Sequence, residues 1–449
     1  MEADQSSIPT RTSVPDMEAP HVLIFPFPTP GHVRPLFLLA AALASRGVRI
    51  TILALPSLPS LSSFFSSASS SSLPISSVTH PWPPPYPHCS HLRHIPWLYR
   101  IRCSLARSLS IPRLTFYTCS AFVISILHSL WLNDTPEPEP IKSITEAHGP
   151  IPCSARLTIS DIPGAPTFPF GHLSLLFRTY KKQAQKAAQS GEHDPAWVSV
   201  RECFLSNISS YGSVFNSFME AEAEYLLHLK SSRSGGNIWA VGPVHLLPQV
   251  QTVTARSWAE EWLEGHAKGS VIYVCFGTQA TLSSQQVDTI AEGLKASGVP
   301  FLWAMPEEWL VPSELELERA HTLLSPVVAA QARILGHGAV AAFLTHCGWN
   351  SMLEGLVAGV PMVGLPMGAD QYLNARLLVD GLGAGTMACD YGTVLNPGSL
   401  ARAVTLVMEP GSKERARARA CRALVPGGSS RAQLENLVED LQRLHASGV

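Results

Sequence analysis

Short apolar runs alternate with longer amphipathic stretches along most of this chain, which predicts strands and helices in turn. His21 to Phe27 reads as a first strand, Pro35 to Ser45 as a helix stopped by Gly47, and Val48 to Leu55 as a second strand. Phe204 to Phe218 and then Ile238 to Val241 resume the pattern. The β-branched run from Val271 to Phe276 opens a second unit, followed by a helix from Ser284 to Ser297 with Gly298 at its end. Further on, Ala339 to Thr345 is a buried strand, Asn350 to Ala358 a short helix that Gly359 can end, and Pro361 to Leu365 extends again. Leu434, Leu437, Val438, Leu441 and Leu444 recur at helical spacing within Arg431 to Ala446, an amphipathic closing helix. Alternation in two halves predicts an α/β fold of two facing Rossmann-like domains with parallel sheets. The expected divisions are a disordered arm at 1–20, domains at 21–243 and 257–430, a linker at 244–256 and a last helix at 431–449. The serine-rich stretch from Ser57 to Ser77 and the proline-dense Pro81 to Pro87 read as surface loops.

One place combines this pattern with usable chemistry. Between Val328 and Gln371 lie His346-Cys347-Gly348-Trp349-Asn350-Ser351, then Glu354, Gly359-Val360-Pro361 and Asp370-Gln371. His346 ends a strand, while Asn350 and Ser351 open a helix whose unpaired N–H groups and positive dipole end favour a phosphate. Glu354, one turn after Asn350, shares its face and can accept hydrogen bonds from sugar hydroxyls. Asp370 and Gln371 follow the next strand and return to the same edge of the sheet. A polar turn between a parallel strand and a helix is where such folds bind ligands.

Composition narrows the class. A chain of 449 residues accommodates two ordinary domains, and a formal net charge of −2 with scattered Lys and Arg predicts no nucleic-acid or membrane-surface partner. Residues 1–20 carry Glu2, Asp4, Asp16 and Glu18 without the basic start and apolar run of a secretory signal, and no apolar stretch reaches membrane-spanning length. Nine cysteines, widely spaced and without a Cys-x-x-Cys pair, suit a reduced, cytoplasmic protein. Cys347 beside His346, with His337 nearby, lacks the further ligands that a zinc site needs, so no metal is expected and a small buried thiol is favoured.

The box from Val328 to Gln371 resembles the signature of the plant secondary-product glycosyltransferases. So do Phe25-Pro26-Phe27-Pro28 with Gly31-His32, Val214-Phe215-Asn216-Ser217-Phe218, Trp239-Ala240-Val241-Gly242-Pro243 and Val274-Cys275-Phe276-Gly277-Thr278. The resemblance implies a GT-B fold and transfer of a sugar from a UDP-sugar co-substrate, with no cofactor, to a small hydroxylated acceptor such as a flavonoid or other phenol. It also implies roles for residues. His32 is the general base, and Thr278, His346, Asn350 and Ser351 hold the diphosphate. Ala329, Gln331 and Glu354 lie at the nucleoside; Trp349, Asp370 and Gln371 lie at the sugar. The Asp370-Gln371 ending is similar to glucose users. No obligate protein partner is evident.

Two positions depart from the family pattern. An aspartate in the N-terminal domain orients the family's histidine, yet no Asp or Glu stands between Glu18 and Asp134. The segment from His91 to Ile111 runs straight into Pro112-Arg113-Leu114, which resembles the strand after that aspartate. Loss of such a carboxylate lowers the rate by about 10⁴ in serine proteases. At the front of the box, Val328-Ala329-Ala330-Gln331 stands where the family has Trp-Ala-Pro-Gln, whose indole stacks on uracil. Two readings therefore stay open: an active glycosyltransferase, and a family member that binds UDP-sugar or acceptor without efficient turnover. A nicotinamide-dependent dehydrogenase is set aside, because Pro28 to His32 provides no Gly-x-Gly-x-x-Gly turn.

Overall fold

The structure, a computed structural model, describes residues 19–27, 29–54, 64, 72–79, 105–132, 155–191, 195–232, 236–247, 258–305, 322–325, 331–389, 393–425 and 428–448. The arm at 1–18, the loops at 55–63 and 81–87, most of the linker, and the box residues Val328, Ala329 and Ala330 lie outside the described residues.

The central strands of the C-terminal half are apolar runs buried on both faces, as parallel central strands must be. β9 (Val271–Cys275), β10 (Phe301–Ala304), β11 (Thr322–Ser325), β12 (Val340–Thr345), β13 (Met362–Gly364) and β14 (Gly385–Met387) form one parallel sheet in the order β11-β10-β9-β12-β13-β14. Every residue of β9 and β12 is buried. The helix at Ser284–Ser297 matches its expected bounds because both ends are specified. Ser283 and Gln286 form a capping box, and Gly298 takes the left-handed φ of 68°.

The N-terminal half is also parallel, but its sheet is in two pieces. β1 (His21–Ile24), β2 (Arg49–Ala54) and β3 (Ile75–Thr79) form one three-stranded sheet; β4 (Leu114–Tyr117), β7 (Gly212–Phe215) and β8 (Asn237–Ala240) form another. A short antiparallel pair, β5 (Arg156–Thr158) and β6 (Thr167–Pro169), stands apart. Among the described residues β1 and β4 each pair on one side only, and Leu23 on β1 is 49% exposed. Both pieces nonetheless feed one core, where Ile24, Ile50 and Ile52 meet Val214 and Trp239. The break falls where the sequence runs without acid into Pro112-Arg113-Leu114.

Two expectations are corrected here. Ile75 to Ser77 belongs to β3 and not to a loop; it is a parallel edge strand, with Ser76 Oγ 3.0 Å from Thr51 Oγ1 on β2. The first helix, α1, runs Pro30–Ala44, five residues earlier than its expected start at Pro35. Two prolines compete for the first-turn position, and Pro30 takes it, leaving Pro35 inside the helix. The remaining helices used below are α2 (Ala121–Leu132), α3 (Met219–Ser232), α4 (Trp349–Ala358), α5 (Gln371–Arg376) and α6 (Ser429–Ala446). α6 returns to the first half. Leu434, Leu437, Val438 and Leu441 join the core of β1 and β2, Arg46 pairs with Glu435 at 3.0 Å, and Leu444 stays outside that core.

Candidate active site

The expected site residues of the second half gather at the C-terminal edge of its sheet, where parallel strands present their ligands. Thr278 follows β9, His346 follows β12, and Asp370 and Gln371 follow β13. Gly348 is the N-cap of α4, and no side chain caps it, so its first-turn N–H groups have no internal competitor. His346 is wedged between two glycines: a Cβ at Gly277 would lie 2.8 Å from its Nε2, and one at Gly348 2.4 Å. Gly277 (φ 77°) and Gly348 are therefore held by close approach to an imidazole. Burial pushes the His346 pKa down to about 4, with a backbone hydrogen bond at Cys275 acting the other way. The ring is neutral at physiological pH, so it carries a hydrogen-bond donor and not a full charge.

Gln331, Ser351 and Glu354 form one buried network. Gln331 Nε2 donates to Glu354 Oε2 at 2.7 Å and to Ser351 Oγ at 3.0 Å. Burial raises the Glu354 pKa, while Arg34 and the Gln331 bond pull it down. At the other end, Asp370 accepts from Asn374 Nδ2 at 2.8 Å and from the Cys119 thiol, and burial raises its pKa. Asn374 on α5 also donates to the Cys347 carbonyl at 3.1 Å and accepts from Ser120 Oγ at 2.9 Å. Gln371 Oε1 accepts from the Met367 and Gly368 amides at 2.8 and 3.0 Å, which commits its carbonyl to the turn and leaves its NH₂ for a ligand. Trp349 is 2% exposed, and its indole N–H donates to the Asn216 carbonyl at 2.7 Å. Its side chain is thus an anchor between the halves.

Asn350 ties this edge to the histidine turn. Its Nδ2 donates to the Gly31 carbonyl at 2.8 Å, and its Oδ1 accepts from Asn216 Nδ2 at 3.1 Å. The Gly31 carbonyl is available for a simple reason. Its helical partner would be the N–H four residues on, and that residue is Pro35, which has none. His32 lies in the first turn of α1 because that helix starts at Pro30, with its ring 5.1 Å edge-on from Phe27 and its Nδ1 2.7 Å from Thr29 Oγ1. Desolvation lowers its pKa, in the same direction as the helix dipole. Buried carboxylates of this half are engaged elsewhere. Glu222 accepts from Ala121 N and Phe122 N at 3.0 and 2.9 Å, capping α2; the exposed Asp161 accepts from Ser129 Oγ at 2.6 Å.

Thr278 is exposed in the turn after Gly277, and Ala329 lies outside the described residues. Sequence reasoning assigned no role to Asn216, Thr29, Asn374 or Cys119. Asn216 sits inside a quoted family motif, whereas the other three carry no local pattern. Among the described residues no cluster of three or more His, Cys, Asp or Glu is arranged to hold a metal, no helix is long and apolar enough to cross a membrane, and none of the six cysteines described is in a disulfide.

A family model described as UDP-glucoronosyl and UDP-glucosyl transferase matches residues 237–416. The chain is 33% identical to flavonol 3-O-glucosyltransferase UGT89B1 of Arabidopsis thaliana, over 89% of this chain and 88% of that protein. It is 31% identical to scopoletin glucosyltransferase of Nicotiana tabacum, over 79% of this chain and 74% of that one. The fold superimposes on Phytolacca americana UGT2, complexed with UDP-2fluoro-glucose and pterostilbene, with a TM-score of 0.76 at 24% identity, covering 95% and 100% of the two chains. It superimposes on Medicago truncatula UGT71G1 complexed with UDP-glucose with a TM-score of 0.75 at 22% identity, covering 95% and 99%. With its GT-B architecture and these relatives, the chain belongs to the plant UDP-glycosyltransferase family.

Proposed function

We propose that this protein transfers glucose from UDP-glucose to a hydroxyl of a flavonoid or similar phenol, with His32 as general base and inversion at the anomeric carbon. The observation that carries the proposal is the Asn350 bond to Gly31, which sets the first turn of α4 beside the histidine turn of α1. The α4 N–H groups, Ser351, Thr278 and neutral His346 hold the diphosphate; Gln331 and Glu354 hold the ribose; Asp370, Gln371 and the Trp349 backbone hold the sugar. In the single displacement, the ring nitrogen of His32 takes the acceptor proton and the acceptor oxygen bonds to the anomeric carbon. The bond from that carbon to the β-phosphate oxygen breaks, and UDP leaves. The charge on the diphosphate is met by the helix end and hydrogen-bond donors, and no metal takes part. Acceptor class follows the names of the relatives, which include a flavonol and a scopoletin glucosyltransferase. Mixing purified protein with UDP-glucose and a flavonol is the test: a β-glucoside and an equal amount of UDP are expected, and UDP-glucose left intact across a phenol panel would refute the proposal.

One observation favours a second reading, a nucleotide binder with little turnover. Among the described residues the N-terminal strands pair as two separate sheets, and no Asp or Glu stands between Glu18 and Asp134. Tight UDP binding by calorimetry with no glucoside after many equivalents of donor would support it, and multiple turnover would rule it out.

A further inference from the structure

The His32 ring has a neutral partner at one of its nitrogens. Thr29 Oγ1 lies 2.7 Å from His32 Nδ1. Thr29 is 9% exposed and holds the N-cap position of α1, yet its hydroxyl makes no capping bond. The His32 backbone N–H goes instead to the Thr29 carbonyl at 3.0 Å, and the Thr29 N–H goes to the Phe27 carbonyl at 2.8 Å. The backbone on both sides is thus fixed, the hydroxyl is released from its usual helical duty, and Phe27 packs against the ring edge. Among the described residues, other charged or titratable groups around this turn are directed elsewhere. Arg34 on α1 acts on His245 in the turn Val244–Leu246 and on Glu354 of α4, and His245 is itself held neutral, its pKa lowered to about 4 by burial and by Arg34.

We propose that Thr29 is the positioning residue for His32: its hydroxyl oxygen accepts Nδ1–H and presents Nε2 as the base, and because this partner is neutral the site favours acceptors whose hydroxyl is already acidic, phenols over aliphatic alcohols. A carboxylate would stabilise the imidazolium formed when the acceptor proton arrives; a threonine fixes the tautomer and the ring angle without supplying that charge. Desolvation of His32 acts the same way, making the ring a weaker base than a free imidazole. Proton transfer to a weak base is efficient only from an acid of comparable strength, so acceptor acidity and not size alone sorts the substrates.

The proposal rests on His32 acting as base, and two independent arms test it. In the first, wild type, Thr29→Val and Thr29→Ser are assayed with UDP-glucose against 4-nitrophenol, phenol and benzyl alcohol. Wild type is expected to turn over 4-nitrophenol fastest and benzyl alcohol at least about 100-fold more slowly than phenol. Thr29→Val is expected to lower kcat for phenol about tenfold or more with KM unchanged, to leave the ionised 4-nitrophenol nearly unaffected, and to be rescued by Thr29→Ser. Equal rates for phenol and benzyl alcohol in wild type, or wild-type kinetics in Thr29→Val, would overturn it. The second arm needs no turnover. Histidine-labelled protein, with the His32 signal assigned by its loss in His32→Gln, is expected to show the Nδ1–H tautomer in wild type and a mixture in Thr29→Val. An unchanged tautomer overturns the positioning role, whereas a changed tautomer in a protein that glucosylates nothing places the failure in the glycosyltransfer proposal.

Discussion

Pro35 and Asn350 stand far apart in sequence, yet the structure makes them partners through the Gly31 carbonyl, and this can be measured. Asn350 makes two hydrogen bonds across the halves, at 2.8 Å to Gly31 and 3.1 Å from Asn216. Each such bond contributes about 0.5–1.5 kcal/mol net, and the Gly31 side is exposed enough for water to replace part of it. Asn350→Ala is therefore expected to cost about 1–2 kcal/mol. In a Pro35→Ala background the new N–H lies four residues after Gly31 and can take its carbonyl inside α1. Asn350 then loses one of its two roles, and its removal should cost about half as much, a coupling of about 0.5–1 kcal/mol. The effect of Pro35→Ala alone is a poor guide, because restoring a helical bond and losing buried ring contacts oppose each other. Urea unfolding of the four proteins, followed by tryptophan fluorescence, gives the cycle. An Asn350→Ala cost that is the same in both backgrounds would refute the idea that proline frees the carbonyl for Asn350.

Further outcomes follow from the buried groups. The folded pKa of His346, about 4, lies below its unfolded value of about 6.5, so its neutral burial stabilises the fold fully above pH 6.5, and about 3 kcal/mol of that is lost as pH falls toward 4. Glu222, Glu354 and Asp370, raised by burial, act in the opposite sense, so wild type is compared with His346→Gln, whose stability should fall less steeply over that range; parallel curves would contradict the assignment. Gln331→Ala strands the Glu354 carboxylate and should destabilise by about 1–3 kcal/mol and weaken UDP binding, read by urea unfolding and calorimetry. Val328→Trp restores a stacking surface and should tighten UDP binding about tenfold or more, and unchanged affinity would remove stacking as the explanation. Turnover should be insensitive to EDTA, and a loss restored by a divalent cation would show that a metal takes part.

The second half was largely legible before its structure was known. Val271 to Cys275 and Val340 to Thr345 are uninterrupted apolar runs with β-branched residues, and Gly298 and Gly359 mark helix ends that take left-handed φ. In the first half, local signals conflicted. The helix start that the sequence placed at Pro35 lies at Pro30, and Ser76 and Ser77, both exposed, disguised an edge strand. The site was legible as a set of residues but not as a set of bonds. Residues 331, 351 and 354 were assigned from the box, while the network that joins them needs the helix to bring residue 351 back over residue 331. Asn350 reaching Gly31 and Thr29 reaching His32 depend on a missing N–H and an unused cap, which composition and periodicity do not encode.

The most direct measurement is glucoside formation from UDP-glucose and a flavonol by wild type and His32→Gln, with UDP affinity measured on both. Wild type is expected to turn over repeatedly, and His32→Gln to lose at least about 100-fold in kcat while binding UDP as wild type does. Equal kcat in the two proteins, or no glucoside from wild type, would contradict His32 as the base of an active glucosyltransferase.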